Sequence, residues 1–528
     1  MIVGKLFYAL YVMGLLSPAA LFRFVSAIYR YGINLMALLY FSAGTYGRNV
    51  ALTDEQETLT YDRLLAHAEA LAGYFRDQYG LSAGKKVGVW CRNHAAFAKS
   101  IFAASSAGAD LYFLHAEMSR AQLDDFLARR PLDLVLCDED RCAMLEASGY
   151  AGPRLAIDRQ ALSIIERRLA EGADVRGRRR RSSAGKLVLP TGGTSGQAKE
   201  APHRPSLLNY LDPFAAFLTR LRIRSYRTAY IATPLYHGYG IAMLLLFCAL
   251  GKTMVLRRGF EAREACRVVC EHKIEVVAVV PLMLRRMLQA AEGDELRSLA
   301  CIACGGAELR PQLAKETMER LGPALYNLYG TSEAGLATIA TPQDVSDAPA
   351  TIGRSIPGVR LRIADERKRS VKAGTIGRMY VKNRWSARRS GADAWIDTGD
   401  LGVRDGRGLF YLCGRADSMI VSGGENVYPI EVEQAILEHP QVEDAAVVGV
   451  QDEAYGQRLR AFVSMTPQAS ATKDELSEWL RTRLARYQMP RDIVLVDRLP
   501  YTPLGKLDRK RLTADFGIGV QDRFGALR

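Results

Sequence analysis

The chain has 528 residues, too long for one hydrophobic core, so two to four structural units are expected. Its 48% apolar and 24% charged content is that of an ordinary globular protein and excludes a chain without a packed core. Nine scattered cysteines, an odd number, cannot all pair within one chain and point to a reducing compartment, while a net charge of +14 points to anionic partners.

Met1 to Ser17 is apolar except for Lys5, and Pro18 closes the stretch. It barely reaches the length of a membrane span. The small residues Ser17-Pro18-Ala19-Ala20 leave a cleaved signal peptide as an alternative. A second apolar stretch, Ile33 to Phe41, follows Arg23 and Arg30. Both stretches are expected to be interfacial helices in peripheral contact with a cytosolic membrane face; docking on the protein's own core is the other reading. Residues 1–45 are thereby set apart from the rest.

Short apolar runs at Val87–Trp90, Leu134–Leu136, Leu187–Leu189, Ala229–Thr233, Met254–Leu256 and Val276–Val280 predict buried strands. Arg120–Arg129 and Glu261–His272 carry helical patterns between them. This alternation predicts α/β architecture with parallel, doubly wound sheets. The basic run Arg176-Gly177-Arg178-Arg179-Arg180-Arg181 reads as a solvated linker, with acidic lipid headgroups or a CoA phosphate as the alternative. Without a zinc finger, an RNA-recognition signature or a long basic stripe, nucleic acid is not an expected partner. Cys266/Cys270 and Cys301/Cys304 lack a second cluster at zinc spacing and read as small buried apolar residues. From 351 to 413, short strands such as Arg360–Ile363 and Gly377–Val381 alternate with glycine turns, which suits a small distorted β-barrel. A compact α+β piece follows, with helices at 429–438 and 473–486 and strands at 445–450 and 459–465. The expected domains are 46–414 and 415–528, with the boundary at Gly414–Asp417.

Five motifs carry the chemistry. The first is Thr191-Gly192-Gly193-Thr194-Ser195-Gly196-Gln197-Ala198-Lys199, directly after a strand. Glycines let the backbone turn its N–H groups toward an anion, and Lys199 adds a mobile positive charge. No Gly-Lys-Ser/Thr ends it, so it is not a Walker A loop. The others are Tyr329-Gly330-Thr331-Ser332-Glu333, Asp397-Thr398-Gly399-Asp400, Gly414-Arg415-Ala416-Asp417 with Ser422-Gly423-Gly424-Glu425-Asn426, and Pro503-Leu504-Gly505-Lys506-Leu507-Asp508-Arg509.

In this order and spacing, the motifs resemble those of the adenylate-forming superfamily, over about residues 50 to 515. Arg30-Tyr31-Gly32 and Leu59-Thr60-Tyr61 make the resemblance closest to bacterial fatty-acid–CoA ligases. It implies a cytoplasmic enzyme that uses ATP and Mg²⁺ to turn a carboxylic acid into acyl-AMP, then transfers the acyl group to CoA. It also implies that the C-terminal domain is mobile. Loop 191–199 would hold the β- and γ-phosphates, although Gly192, Ala198 and Glu200 depart from the usual pattern. Tyr329 would stack on adenine, beside a pocket lined by Gly305, Gly306 and Ala307 and by Gly330. Thr331 would reach the α-phosphate and Glu333 the Mg²⁺. Asp400 would accept from both ribose hydroxyls, with Arg415 as a second ribose or phosphate contact. Lys506 would bridge the carboxylate and ATP, and His237 would gate the acyl site. Asp417 would be the hinge, and Gly423 and Gly424 would line the pantetheine passage.

The acid itself is less legible. Tyr236–Phe247 and Leu282–Met287 suit an alkyl chain, hence a medium- or long-chain fatty acid, but the same runs suit core helices. An acyl-adenylate ligase that loads an acyl-carrier protein, an aryl-acid–CoA ligase and a non-catalytic lipid-binding relative are the alternatives. The last would be expected to lose Lys506, Glu333 or Asp400, and all three are present.

Overall fold

The computed structural model describes residues 11, 17–171, 182–183, 185–191, 199–203, 211–386, 395–422, 425–452, 456–502 and 505–516. The chain divides into two compact units, Met1–Leu361 with Val381–Ile396, and Arg362–Tyr380 with Asp397–Arg528.

The first unit holds two sheets. The larger runs Thr351–Ser355, Gly335–Ala340, Leu325–Thr331, Cys301–Gly305, Val276–Val279, Thr228–Ile231, Thr253–Val255, Val50–Thr53 and Thr58–Thr60. Its central strands are parallel and continuously apolar, as burial on both faces requires. Alternate residues point to opposite faces: Val276 and Ala278 join one core cluster, Val277 and Val279 another. Cys301 and Cys304 divide in the same way, so they neither pair nor share a ligand. The smaller sheet runs Arg154–Ala156, Leu134–Cys137, Lys86–Trp90, Asp110–Phe113, Leu187–Thr191 and Lys199–His203. Its last two strands form an antiparallel hairpin in which Thr191 pairs with Lys199 and Leu187 with His203.

Helices cover these sheets with the expected punctuation. Tyr61–Tyr79 begins where the Thr60 hydroxyl accepts from the Arg63 N–H and ends at Gly80 in the left-handed region (φ 59°). Arg120–Arg129 starts with a reciprocal capping box between Ser119 and Gln122. The helix expected over 473–486 ends at Arg481, and a short 3-10 turn follows at Arg486–Gln488.

Of the two N-terminal stretches, Met1–Ser17 lies outside the described residues apart from Tyr11 and Ser17, and the expectation for the second needs correction. The stretch Ile33–Phe41 does not lie on a membrane face. It forms most of helix Leu35–Tyr46, whose Leu35, Met36, Ala37, Leu39, Phe41 and Ala43 are buried in the main core. Such all-round burial leaves no apolar face for a bilayer. The preceding helix, Pro18–Tyr31, differs: Ala20, Ala27 and Tyr31 face inward, while Leu21, Phe22, Val25 and Tyr29 are 50%, 73%, 56% and 71% exposed. Among the described residues, no helix is long and apolar enough to cross a membrane.

Strands Arg360–Ala364, Gly377–Lys382, Ile396–Arg404 and Phe410–Arg415, most of whose residues belong to the second unit, are neighbours in sequence order, and the last two pair antiparallel. A second sheet joins Glu425–Val427, Ile420–Ser422, Gly456–Met465 and Val442–Asp452, with Asp492–Leu495 parallel to Gly456–Met465. Helices Pro429–Leu437 and Lys473–Arg481 contribute to its core through Val432, Ile436, Leu476 and Leu480.

Candidate active site

Both units carry candidate residues. In the first, the Tyr329–Glu333 motif straddles a strand end and a tight turn. Tyr329 is buried in the strand, while Gly330 is exposed. A Cβ at Gly330 would collide with the Gly335 carbonyl, so the turn depends on its absence. The Thr331 hydroxyl accepts from the Ala334 N–H at 3.1 Å. A hydroxyl that accepts still has its proton to donate, so Thr331 suits an anionic oxygen. Glu333, half-buried in the same turn, is a hard oxygen donor of the kind Mg²⁺ takes. Gly305 ends its strand, and Gly306 turns at φ +83° before half-buried Ala307. The strands that lead to these two segments pair, Gly305 with Leu328, and a bare main chain, a hydroxyl and a carboxylate are groups of the kind a nucleotide with a divalent metal takes.

The first turn is also braced from behind. The His203 ring, 8% exposed at the end of the hairpin, bonds through Nε2 to the Ser332 carbonyl at 2.9 Å. Burial lowers its pKa, against contributions from the Ser332 and Trp385 carbonyls and from Glu333 that raise it. The Asn383 side chain donates to the Ala334 carbonyl at 2.7 Å. Sequence reasoning missed both residues, since His203 lies 129 positions from its partner.

His237 precedes helix Gly238–Ala249. Its ring lies 4.6 Å from Tyr236 and 5.4 Å from His115, which completes an aromatic trio. His115 was also missed. Burial lowers its pKa, and Glu117 and Arg141 act in opposite senses on it. Helix Gly238–Ala249 buries Ile241, Met243, Leu244, Leu246 and Phe247 in the main core, so the apolar run is largely packing. Met283, Leu284 and Met287 likewise join the second cluster.

In the second unit, Asp400 and Arg415 sit opposite each other on paired strands. Arg415 Nη1 contacts Asp400 Oδ1 at 3.0 Å and the Thr398 carbonyl at 3.0 Å. Its Nε and Nη2 reach the two Asp417 oxygens at 3.4 Å. Arg415 therefore ties the ribose candidate to the hinge candidate. Lys506 is exposed on a turn closed by the Thr502 N–H to Lys506 carbonyl bond of 2.8 Å. Arg509 donates to the Val447 carbonyl at 2.7 Å and pairs with Glu433 at 3.3 Å, which anchors the tail behind that turn. Thr191 and Lys199 end the two hairpin strands. Gly192, Gly193, Thr194, Ser195 and Gly196, and also Gly423 and Gly424, lie outside the described residues.

One other cluster invites a metal reading: Cys91, His94 and Asp138, all buried. The His94 ring is committed on both sides. Nδ1 accepts from the Phe97 N–H at 3.2 Å, and Nε2 faces Asp138 Oδ1 at 2.7 Å. Cys91 bonds to the Leu136 carbonyl at 3.4 Å. The cluster caps helix Ala95–Ser106 and leaves no imidazole lone pair for an ion.

Comparison with known proteins gives the family. Residues 40–389 match the AMP-binding enzyme family, and residues 431–506 match the AMP-binding enzyme C-terminal domain. The chain is 27% identical to a 2-succinylbenzoate–CoA ligase of Bacillus licheniformis, over 88% of this chain and 96% of that one. It is 32% identical to a medium/long-chain-fatty-acid–CoA ligase of Mycobacterium tuberculosis, over 55% and 54%. The fold matches ATP-bound MatB from Rhodopseudomonas palustris with a TM-score of 0.81 at 23% identity, over 92% and 99% of the two chains. Family match, fold and motif geometry together make this chain a member of the AMP-binding enzyme family within the adenylate-forming superfamily, an AMP-forming acid–CoA ligase that works with ATP, Mg²⁺ and CoA.

Proposed function

We propose that the acid is a medium- or long-chain fatty acid, activated by a cytoplasmic enzyme in peripheral contact with the cytosolic membrane face. The exposed apolar face of helix Pro18–Tyr31 carries this reading: Leu21, Phe22, Val25 and Tyr29 would hold the enzyme where lipid substrates dissolve. The similarity to a fatty-acid–CoA ligase over about half the chain adds support. A second reading, an aryl acid, is favoured by the ring trio of Tyr236, His237 and His115 and by the 2-succinylbenzoate relative. An acyl-carrier protein is the alternative acceptor.

In the proposed chemistry, Tyr329 stacks on adenine beside Gly305, Gly306, Ala307 and Gly330, and Asp400 accepts from the ribose hydroxyls while Arg415 holds it in place. Thr331 donates to an α-phosphate oxygen. Thr191, Lys199 and the residues between them hold the β- and γ-phosphates. Glu333 holds Mg²⁺, which when bound neutralises phosphate charge. Lys506 places its ammonium between the acid carboxylate and the α-phosphate, where charge builds as the carboxylate attacks and pyrophosphate leaves. His237 gates the acyl site. Rotation about Asp417 then withdraws Lys506 and brings Gly423 and Gly424 to the pantetheine passage, so that the thiol attacks the acyl carbon and AMP leaves.

The test is ATP-dependent pyrophosphate release over acetate, octanoate, palmitate, benzoate and 2-succinylbenzoate, with CoA and with an acyl-carrier protein as acceptors. The kcat/KM for octanoate or palmitate with CoA should exceed that for the aryl acids at least tenfold. A preference for benzoate or 2-succinylbenzoate overturns the fatty-acid reading.

A further inference from the structure

His203 has a buried imidazole outside the set of residues proposed to touch the reactants. It ends the outer strand of the smaller sheet, Lys199–His203. Its Nε2 reaches the Ser332 carbonyl, in the turn between strands Leu325–Thr331 and Gly335–Ala340 of the larger sheet, at 2.9 Å. A single side chain thus bonds the phosphate-loop hairpin to the peptide unit directly before Glu333. The same turn is held from a third direction. Asn383 Nδ2 donates to the Ala334 carbonyl at 2.7 Å, while Asn383 Oδ1 accepts from the N–H groups of Trp385 at 3.0 Å and Ser386 at 2.8 Å. The Trp385 ring lies 2.9 Å from where a Cβ on Gly335 would sit, and Gly335 itself turns at φ +69°. The carbonyls on both sides of Glu333 are therefore tied, Ser332 by His203 and Ala334 by Asn383.

A short turn with both flanking peptides fixed has little freedom to aim its carboxylate elsewhere. Pre-orientation of this kind lowers the ordering cost of binding a ligand without any contact to it. Four residues of strand, roughly 13 Å, separate His203 from Lys199. The His203 bond therefore fixes the base of the hairpin whose tip begins the phosphate loop, against the turn that carries Glu333.

We propose that His203 is a positioning residue: through the Ser332 carbonyl it sets the Glu333 carboxylate and the phosphate-loop hairpin in register for Mg²⁺-bound triphosphate, with Asn383 as the second brace. The inference rests on the reading of Glu333 as the metal ligand. Calorimetric binding of ATP to the full chain, with and without Mg²⁺ and with no acid present, gives a readout independent of turnover. The measured quantity is the factor by which Mg²⁺ tightens ATP binding. His203→Asn, too short to reach Ser332, should cut that factor about tenfold and leave metal-free ATP binding within twofold. His203→Gln, which returns an N–H near the Nε2 position, should restore it. In pyrophosphate exchange, the KM for ATP should rise with His203→Asn while the KM for the acid stays unchanged.

A His203→Asn protein with the wild-type Mg²⁺ factor, or with equal loss of ATP binding with and without metal, overturns the proposal. If His203→Asn does not fold, Asn383→Ala carries the same test through the Ala334 carbonyl: a cut factor supports the proposal, and an unchanged one overturns it. Glu333→Gln is the control on the underlying reading. A Glu333→Gln protein that keeps the full Mg²⁺ factor overturns the metal assignment and the inference together. If Glu333→Gln loses the factor and His203→Asn keeps it, the inference alone is overturned.

Discussion

Lys506 projects from a turn held by the Thr502 and Gly505 main chain, and the Arg509 anchors to Val447 and Glu433 are independent of its ammonium. Removing the side chain should therefore spare the fold. Lys506→Ala is predicted to slow acyl-AMP formation by about 10²–10³, the usual cost of losing one transition-state electrostatic contact, and to leave thioester formation from supplied acyl-AMP intact. Single-turnover assays of the two half-reactions check this; equal damage to both would remove Lys506 from the adenylating step. Asp400→Asn keeps the size of the side chain but removes charge opposite Arg415 and one acceptor, so the KM for ATP should rise about tenfold with little change in the KM for the acid. Short, ordered motifs in the sequence single out Thr331, Glu333, Asp400, Arg415 and Lys506, which lie in turns and strands and whose roles are proposed above. His203, Asn383 and His115 were not legible in this way. Their roles come from contacts to residues far along the chain, and a lone histidine or asparagine carries no local pattern that announces them.

Elements were legible where periodicity and punctuation agreed. Strand Val276–Val279 and helix Arg120–Arg129 fall at or within a residue of the expected limits. The N-terminal helices show why hydropathy alone was insufficient. The apolar stretch Ile33–Phe41 is wrapped by helices Tyr61–Tyr79 and Ala95–Ser106, while the neighbouring helix Pro18–Tyr31, which lies after the first apolar stretch, keeps an open face. The two should respond oppositely to substitution. Leu39→Ala opens a cavity in the main core and should cost about 2–5 kcal/mol in denaturant unfolding. The triple change Phe22→Ser, Val25→Ser, Tyr29→Ser should leave stability within about 1 kcal/mol and abolish flotation with anionic liposomes at low salt. A triple variant that still floats would assign membrane contact to another surface. Removal of residues 1–41 is not an equivalent experiment, because it strips Leu35, Met36, Leu39 and Phe41 from the core.

At the scale of the whole molecule, one buried histidine predicts sensitivity to acid. His67 is 5% exposed, and burial, then Lys99 and Arg63, push its pKa down to about 4. The unfolded chain takes up a proton near pH 6.5 that the folded chain refuses. Stability should fall as pH drops from about 6.5 to 4, by on the order of 2–3 kcal/mol. His67→Gln should flatten that limb in urea titrations at pH 4.5 and 7, and an unchanged slope would place the acid sensitivity elsewhere. Domain motion offers a second global test. Asp417→Pro fixes φ at the proposed hinge and should spare one half-reaction while slowing the other at least tenfold. Two unaffected half-reactions would move the hinge. The expected boundary at Gly414–Asp417 marks where movement is proposed; the compact units divide elsewhere, because residues 362–380 and 397–414 pack with the C-terminal residues.

That division bears on how such a chain could be recombined. The path leaves the first unit after Leu361, returns at Val381 and leaves again after Ile396. Grafting a relative's C-terminal part at Arg415 would transfer only a portion of the second unit. It would also split the Asp400–Arg415 contact of 3.0 Å between two parents. Asp400 and Arg415 are thus expected to be inherited as a couple, and a viable hybrid needs its junction placed so that both come from one ancestor.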